Sequence, residues 1–195
     1  VEAKSKLMKG TGLLYRDVDL VIRIVRELFN EDVEQMVIDD EIVYGRVKDL
    51  LQGMAPEWAD RLKLYKGSNI FEYYEIEAEA VSAGNRQVPL ASGGFLVIDK
   101  TEAMTVIDVN TGSFVGNISL GETAFALNKE AAVEIMHQLR LRDIGGIVLV
   151  DFIDMEKEEH NKALLQLLRQ LAQQDRTKTH VVDITALGLV EITRK

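Results

Sequence analysis

The chain contains no cysteine among its 195 residues. This excludes disulfide bridges and thiolate metal sites, and it fits the reducing cytoplasm, where we expect the protein to be located. The longest uninterrupted run of apolar residues and glycines, Ile144 to Val150, is far shorter than the roughly 20 residues that cross a bilayer. We therefore expect no membrane span.

Basic side chains are also scarce, because 23 lysines and arginines stand against 32 aspartates and glutamates and give a net charge of −9. Proteins that bind nucleic acid by neutralising phosphates usually carry a basic patch or stripe. The charge therefore argues against generic nucleic-acid binding. The acidic excess is larger in residues 1–85 than in residues 86–195, so the second part is the better suited to a polyanion.

Hydrophobic residues make up 47% of the chain, enough for a substantial core, and their spacing in residues 1–85 predicts short strands alternating with helices. The predicted elements are a strand at Leu13–Tyr15, a helix from Val18 to Phe29, a strand at Met36–Ile38, a helix from Ile42 to Leu51, a strand at Arg61–Tyr65 and a helix from about Asn69 to Ala80. The stretch Ser82–Gln87, which contains Gly84 and Asn85, predicts a boundary between domains 1–85 and 86–195.

The second domain begins with a predicted hairpin and continues with two long helices. Its predicted elements are strands at Phe95–Ile98 and Met104–Val109 around a turn at Asp99–Glu102, a helix from the capping pair Ser119 and Glu122 to Gly145, a strand at Ile147–Val150, a helix from about Glu156 to Gln173 with Asp154 as its N-cap, and strands at His180–Ile184 and Leu187–Ile192. The predicted fold class is α/β, in the form of an α+β mixed sheet flanked by helices.

Three polar residues follow or end apolar strands in this domain. Side chains alternate along a strand, so Asp108 and Asn110 lie on one face, and Asp151 ends the strand Ile147–Val150. If the two strands are neighbours, two carboxylates and an amide converge at one edge, and such oxygen ligands suit magnesium. Aspartates at strand ends are also common turn formers, so the pattern alone leaves both roles open.

Other titratable residues carry weaker signals. Asp39 and Asp40 follow a predicted strand and could mimic a nuclease carboxylate pair. The three histidines have no spacing typical of a zinc site, and neither a nucleophilic triad nor a phosphate-binding glycine loop is present.

Three blocks of the sequence resemble the signature segments of the ribonuclease E/G family. They are GGFLVIDKTEAMTVIDVNTG, EAAVEIMHQLRLRDIGGIVLVDFIDM and ALGLVEITRK. The resemblance covers residues 86–195 strongly, where it implies the deoxyribonuclease-I-like catalytic subdomain, and residues 10–85 more loosely, where it implies a partial ribonuclease-H-like subdomain without catalytic acids. The last block is closer to the ribonuclease G branch.

The resemblance implies a magnesium-dependent endoribonuclease that hydrolyses single-stranded RNA in rRNA processing and mRNA decay. In that family Asp108 and Asp151 would hold Mg²⁺, and Asn110 would position the hydrolytic water. Candidate RNA contacts are Arg140, Arg142, Arg176 and Lys178, although helix dipoles alone favour cations at such positions. Lys178 stands where some family members have an arginine that lines a pocket for the RNA 5′-monophosphate.

The resemblance also implies parts that this chain does not show. The family has an RNA-binding OB domain, a 5′-end sensor and a CPxC-type zinc link that pairs protomers, whereas this chain starts with valine, ends at Lys195 and has no cysteine. We therefore expect a fragment of a homo-oligomeric parent protein, with zinc bound only in the parent and with weak or no activity of the fragment alone. The alternatives are a non-catalytic RNA-docking or scaffolding module and a magnesium phosphoesterase that acts on DNA or small phosphates.

Overall fold

The structure, a computed structural model, describes residues 19–112 and 120–195. The chain divides into two compact units, of which the first ends at Tyr74 and the second is Glu75–Lys195. The domain boundary predicted after residue 85 lies inside the second unit. The predicted strand Leu13–Tyr15 and the capping residue Ser119 lie outside the described residues. Within the described ranges, no helix is long and apolar enough to cross a membrane.

The first unit is built around a parallel pair of short strands. Its described elements are α1 (Leu20–Leu28), β1 (Met36–Ile38), α2 (Glu41–Met54), a short 3-10 helix (Pro56–Arg61), β2 (Leu62–Leu64) and α3 (Ile70–Tyr73). Asp40 is the N-cap of α2, since its Oδ1 accepts a hydrogen bond from the Val43 amide at 2.8 Å. The buried core of the unit consists of Val25, Phe29, Val47, Leu51 and Leu62.

The helix predicted from Asn69 to Ala80 is interrupted in the structure. Asn69 is the N-cap of α3, because its Oδ1 accepts hydrogen bonds from the amides of Phe71 and Glu72. Glu75, however, has a left-handed backbone with φ 59°, which breaks the helical hydrogen-bond ladder before α4 (Ile76–Ser82) begins. The single long helix predicted here is therefore wrong, and the break coincides with the division between the two units.

The second unit contains a six-stranded mixed sheet. Besides α4 its described elements are β3 (Gln87–Pro89), β4 (Phe95–Lys100), β5 (Met104–Asn110), α5 (Leu120–Leu141), β6 (Gly146–Asp151), α6 (Glu158–Gln173), β7 (Thr179–Ile184) and β8 (Leu189–Arg194). The strand order is β3-β4-β5-β6-β8-β7, in which β5 and β6 pair in parallel and the other neighbours pair antiparallel. The predicted mixed sheet with flanking helices is confirmed.

One face of this sheet is buried and the other is open. On β5 the side chains of Ile107 and Val109 are buried, whereas Val106 and Asp108 are exposed. The buried face forms one core with residues of α5 and α6, among them Ile135 and Leu168. We call the opposite face, which carries Val106 and Asp108, the open face.

Two aspartates have roles that differ from the prediction. Asp99 lies in β4 and forms an ion pair with Arg86 at 2.6 Å, and it is not a turn residue. The hairpin turn begins later, where the Thr101 hydroxyl donates to the Met104 carbonyl at 2.7 Å. Asp154 is not the N-cap of α6, because that helix begins after Lys157 and has no side-chain cap.

A buried arginine joins the end of β8 to the segments after both long helices. Arg194 is 5% exposed, and its Nε donates to Oδ2 of Asp175 at 2.8 Å, while the Asp175 side chain is 1% exposed. Nη1 of Arg194 donates to the Ile144 carbonyl at 3.1 Å and to Oδ1 of Asp143 at 3.3 Å. A buried charge without a partner strongly destabilises a fold. Removal of either Asp175 or Arg194 should therefore lower the stability of this unit.

We predict that Asp175→Asn lowers the free energy of unfolding by about 3 kcal/mol, because it removes the buried carboxylate and leaves the buried Arg194 charge with only the exposed carboxylate of Asp143. The measurement is urea-induced unfolding followed by circular dichroism. Asp183→Asn, at an exposed position on β7, is the matched control. Equal free energies of unfolding for Asp175→Asn and the unmodified protein would contradict the assigned pair.

The same pair predicts a pH dependence of stability. Burial raises the pKa of Asp175, but hydrogen bonds from Arg194, from the Thr179 hydroxyl and from the Thr177 amide outweigh burial and leave the pKa below its ordinary value of 3.8. Because the folded-state pKa is depressed, the stabilisation by the ionised Asp175 is present above pH 3.8 and is lost as pH falls through the lower folded-state pKa. Unfolding measured from pH 6 to pH 2 should show a smaller loss of stability below about pH 4 in Asp175→Asn than in the unmodified protein.

Candidate active site

The two aspartates singled out in the sequence lie directly opposite each other. Asp108 on β5 and Asp151 at the end of β6 are register partners in the parallel strand pair. Adjacent strands lie about 4.8 Å apart, so the two carboxylates can approach a common ligand from neighbouring strands. Both side chains are exposed on the open face.

The burial of neighbouring residues determines this orientation. Ile107 and Val109 on either side of Asp108 are buried, as are Val150 and Phe152 on either side of Asp151. Because successive side chains alternate between faces, burial of these four residues turns both aspartates outward. The apolar core thus sets the direction of the polar residues.

Asn110 completes the group and contacts Asp108. Its Nδ2 donates to Oδ2 of Asp108 at 2.8 Å, which holds that carboxylate in one orientation. The backbone beside it is close-packed: a Cβ on Gly94 would lie 2.8 Å from the Asn110 carbonyl oxygen, and a Cβ on Gly112, whose φ is +57°, would collide with the Gly93 carbonyl oxygen. Glycine is therefore required at both positions for the chain to approach and leave Asn110 as it does.

The surroundings of the carboxylates on the open face are largely apolar. The register partner of Asp108 on its other side is Val97 on β4, and that of Asp151 is Leu189 on β8. Below them along the strands lie Val106, which is 37% exposed, and Ile147, which is 47% exposed. The carboxylate pair therefore stands at the end of an exposed apolar surface.

The donor set consists of two carboxylates with a neighbouring amide. In the part of the chain that the structure describes, no cluster of three or more histidine, aspartate or glutamate side chains could hold a metal ion. A two-carboxylate set still fits Mg²⁺, which keeps several waters and takes only one or two protein carboxylates. It does not fit structural zinc, which takes four nitrogen or sulfur ligands in most proteins.

A second polar feature is a surface cavity of about 540 Å³ beside the buried Arg194. We call it the arginine pocket; it is lined by Arg140, Gln174, Asp175, Arg176, Thr177 and Arg194. Arg140 and Arg176 are exposed, whereas the Asp175 carboxylate is occupied by Arg194. The pocket therefore offers two solvent-accessible guanidinium groups whose charge is not offset by its buried carboxylate.

The structure brings together only part of the predicted RNA-contact residues. Arg140 and Arg176 share the arginine pocket, whereas Lys178 is exposed outside its lining. Arg142 is half-buried, and its Nε donates to Oε1 of Gln138 at 2.6 Å. Burial lowers the pKa of the Arg142 guanidinium, and the charge of Glu134 opposes that shift.

Sequence reasoning missed Arg194 as a lining residue of this pocket. A signal was present, since Arg194 follows the buried residues Val190 and Ile192 at alternate positions of one strand and must share their face. The register also separates the pocket from the carboxylates. Arg194 is opposite Gly146 and Asp151 is opposite Leu189, so the two features lie at opposite ends of β6, whose backbone spans about 16 Å between these positions at 3.3 Å per residue. They also lie on opposite faces of the sheet, because Arg194 shares the buried face and Asp151 the open face.

The sequence profile of the Ribonuclease E/G family matches residues 1–195. The chain belongs to the ribonuclease E/G family. This confirms the family predicted from the three sequence blocks. The match includes Asp108, Asn110 and Asp151 as well as both sides of the arginine pocket.

Individual members of the ribonuclease E/G family agree with this placement. Ribonuclease G of Haemophilus influenzae is 44% identical over 196 residues, which cover 100% of this chain and 40% of that protein. Ribonuclease G of Escherichia coli K12 is 42% identical over 93% of this chain and 37% of its own length. Ribonuclease E of Haemophilus influenzae is 37% identical over 100% of this chain and 21% of its own length. The chain thus spans less than half the length of these relatives.

Proposed function

We propose that the chain is the catalytic part of a magnesium-dependent endoribonuclease that hydrolyses phosphodiester bonds in single-stranded RNA. The observation that carries the proposal is the opposed pair Asp108 and Asp151 with Asn110 bound to Asp108, in a chain of the ribonuclease E/G family. The names of the relatives, ribonuclease G and ribonuclease E, support RNA as the substrate. RNA processing and decay, including that of rRNA and mRNA, is the process we assign to it.

Asp108 and Asp151 are the residues we propose as ligands of Mg²⁺. When bound, such an ion offsets charge on the scissile phosphate and lowers the pKa of an attacking water. The two exposed carboxylates supply hard oxygen donors from adjacent strands, and the register keeps them at a constant separation. Their surroundings of Val97 and Leu189 limit the number of competing polar groups.

Asn110 is proposed to orient the reaction. Its Nδ2 holds Asp108, so its Oδ1 stays available to accept a hydrogen bond from the hydrolytic water. Positioning of this kind lowers the barrier by removing rotational freedom before the reaction begins. No protein nucleophile is needed, which agrees with the absence of cysteine from the sequence.

The subdomain assignment is also part of the proposal. We assign residues 86–195 to a deoxyribonuclease-I-like catalytic subdomain, supported by the mixed sheet with helices on one face and carboxylates on the other. We assign residues 1–85 to a partial ribonuclease-H-like subdomain, supported by the parallel pair of β1 and β2 around α2. Asp40 serves there as a helix cap, which agrees with a subdomain without catalytic acids.

The relatives are longer than this chain, and we propose that their other parts contribute substrate binding. The 195-residue chain alone is then weakly active or inactive. We also propose a cytoplasmic, homo-oligomeric parent protein, in which zinc is bound by residues that this chain lacks. Size-exclusion chromatography of the parent protein with and without a zinc chelator would test the homo-oligomeric state and its dependence on zinc.

We predict that Asp108→Asn and Asp151→Asn each lower Mg²⁺-dependent cleavage of a 5′-monophosphorylated, AU-rich single-stranded RNA by about 100-fold or more, since each removes a charge from the metal site. The variants are made in the parent-length protein, and the measurement is the single-turnover rate of each variant relative to the unmodified parent protein, with Haemophilus influenzae ribonuclease G as a reference for an active enzyme. Asp154→Asn is the matched control, because Asp154 is exposed three residues after Asp151.

A second readout does not depend on activity. Paramagnetic Mn²⁺, used in place of Mg²⁺, should broaden the backbone amide signals around Asp108 and Asp151, and each of the two Asn variants should remove that broadening. Cleavage that survives both substitutions would overturn the assigned site. RNA binding without cleavage, together with no Mn²⁺ broadening, would favour the non-catalytic RNA-docking module.

We also predict that Arg140→Gln and Arg176→Gln each weaken RNA binding and reduce the dependence of log K on log salt by about 0.7, the value for one phosphate contact on a single strand. Binding is measured by fluorescence anisotropy without Mg²⁺. Arg26→Gln, at an exposed position on α1, is the control. Because the pocket and the carboxylates are separated by at least the roughly 16 Å length of β6 and lie on opposite faces of the sheet, an RNA must be longer than about five stacked nucleotides to reach both. Unchanged affinity and salt slope in both variants would exclude the pocket as an RNA contact.

A further inference from the structure

We propose that Phe95 is a platform on which a nucleobase of the substrate stacks next to the carboxylate pair. The inference rests on the proposed function, since it needs RNA as the ligand. Among the residues that the structure describes, it adds an aromatic contact to a site built from carboxylates, an amide and aliphatic side chains. Neither the aspartates nor the arginine pocket supplies such a contact.

The strand register places Phe95 beside the candidate site. Phe95 is the direct antiparallel partner of Asn110 across β4 and β5, so the two side chains lie on the same face. Directly opposed residues have Cβ atoms about 5 Å apart, and diagonal neighbours, here Phe95 and Asp108, lie about 7–8 Å apart. On its other side Phe95 is opposite Pro89 of β3. The ring is therefore one strand away from the Asn110–Asp108 hydrogen bond.

The burial of Phe95 is not explained by the hydrophobic core. Phe95 is half-buried, and it belongs neither to the buried core of the second unit nor to the partly buried hydrophobic residues packed against that core. Its alternate neighbours Leu96 and Ile98 face the core instead. Phe95 thus presents part of a phenyl ring on the open face, outside the main core, where a flat aromatic ligand such as a nucleobase could stack on it.

The contact with Gly112 anchors the ring. A Cβ on Gly112 would lie 3.3 Å from Cδ1 of Phe95, so the edge of the ring lies against the glycine backbone that follows Asn110. This contact limits the rotation of the phenyl group, which reduces the entropy lost when a base stacks on it. Gly112 closely follows Asn110 in the chain, so the ring of Phe95 on β4 contacts the same stretch of backbone that carries the proposed water-orienting residue.

The charge of the site favours a base over a phosphate at this position. Without a bound metal ion the two exposed carboxylates repel a phosphate, and the chain as a whole has a net charge of −9. A nucleobase is neutral, and its stacking on an aromatic ring is tolerant of sequence because every base has a π-face. Phe95 can therefore hold RNA near the carboxylates without requiring a cation there.

The test compares a six-nucleotide RNA with the same backbone in abasic form, using NMR titration of the 195-residue chain in the presence of EDTA. In the unmodified protein the bases should strengthen binding by about 10-fold or more, and in Phe95→Ala most of that gain should disappear. Phe95→Trp should retain the gain, and Phe95→Leu, which is apolar but cannot stack, should lose it. Phe71→Ala, which removes a phenyl ring that is 54% exposed on α3, is the matched control.

The readout separates stacking from folding. A purely structural role of Phe95 would change the affinities for the intact and abasic RNA equally, whereas stacking changes only the first. An undiminished contribution of the bases in Phe95→Ala, or full retention in Phe95→Leu, would overturn the inference. If cleavage by the unmodified protein still depends on Asp108, the proposed function stands in that case. If the unmodified parent protein neither binds nor cleaves RNA, both fail.

Discussion

The one-sided burial of the six-stranded sheet is the constraint on which the candidate site depends. Helices α5 and α6 cover the face that carries Ile107, Val109 and Val150, and this forces Asp108 and Asp151 to the opposite face. A slip of one residue in either strand would move a carboxylate into the core and an apolar side chain into water. The hydrophobic effect therefore maintains the geometry of two residues that contribute nothing to the core themselves.

The connection between β5 and β6 explains why the two carboxylates end on the same level. These strands are parallel and are joined through the long helix α5, whose buried residues Leu127, Ile135 and Leu139 pack in the shared core. A parallel pair needs such a crossover, and its strands then end at the same edge of the sheet. At the other end of β6, Arg194 of β8 pairs with Asp175, which follows α6, and also contacts Asp143 and Ile144, which follow α5. Both helices are therefore connected to the sheet at the end away from the aspartates.

The sequence predicts which side chains share a face of one strand, but it does not predict which strands become neighbours. The alternation of apolar residues around Asp108 and Asn110 predicts that these two side chains share a face, because periodicity is a local property of a strand. The pairing of Asp108 with Asp151 is not local: it depends on which strands become neighbours, and no pattern in either strand specifies the other. Resemblance to a family supplied that pairing as an expectation, and the register then placed the residues opposite each other.

The errors of the sequence-based prediction have the same origin. Asp99 and Asp154 were assigned to a turn and a cap because aspartate favours both, but Arg86 pairs with Asp99 within the sheet and α6 begins after Lys157. The helix predicted through Glu75 is helical on both sides of the break, and the backbone angles of Tyr74 and Glu75 interrupt it. Local preference thus gave way in each case to a neighbour or to a backbone angle that the pattern does not encode.

The acidic character of the chain and a polyanionic substrate are compatible because the charges are separated in space. The exposed carboxylates stand at the carboxyl end of β6, whereas the exposed guanidinium groups of Arg140 and Arg176 stand near Arg194 at its other end. A strand of RNA that passes around the sheet to reach both would meet attraction at the arginines and, without a metal ion, repulsion at the aspartates. Net charge is therefore a poor guide to RNA binding by this molecule, because affinity and reactivity would come from opposite ends of one strand. An apolar or aromatic contact beside the aspartates can hold the substrate there at no electrostatic cost.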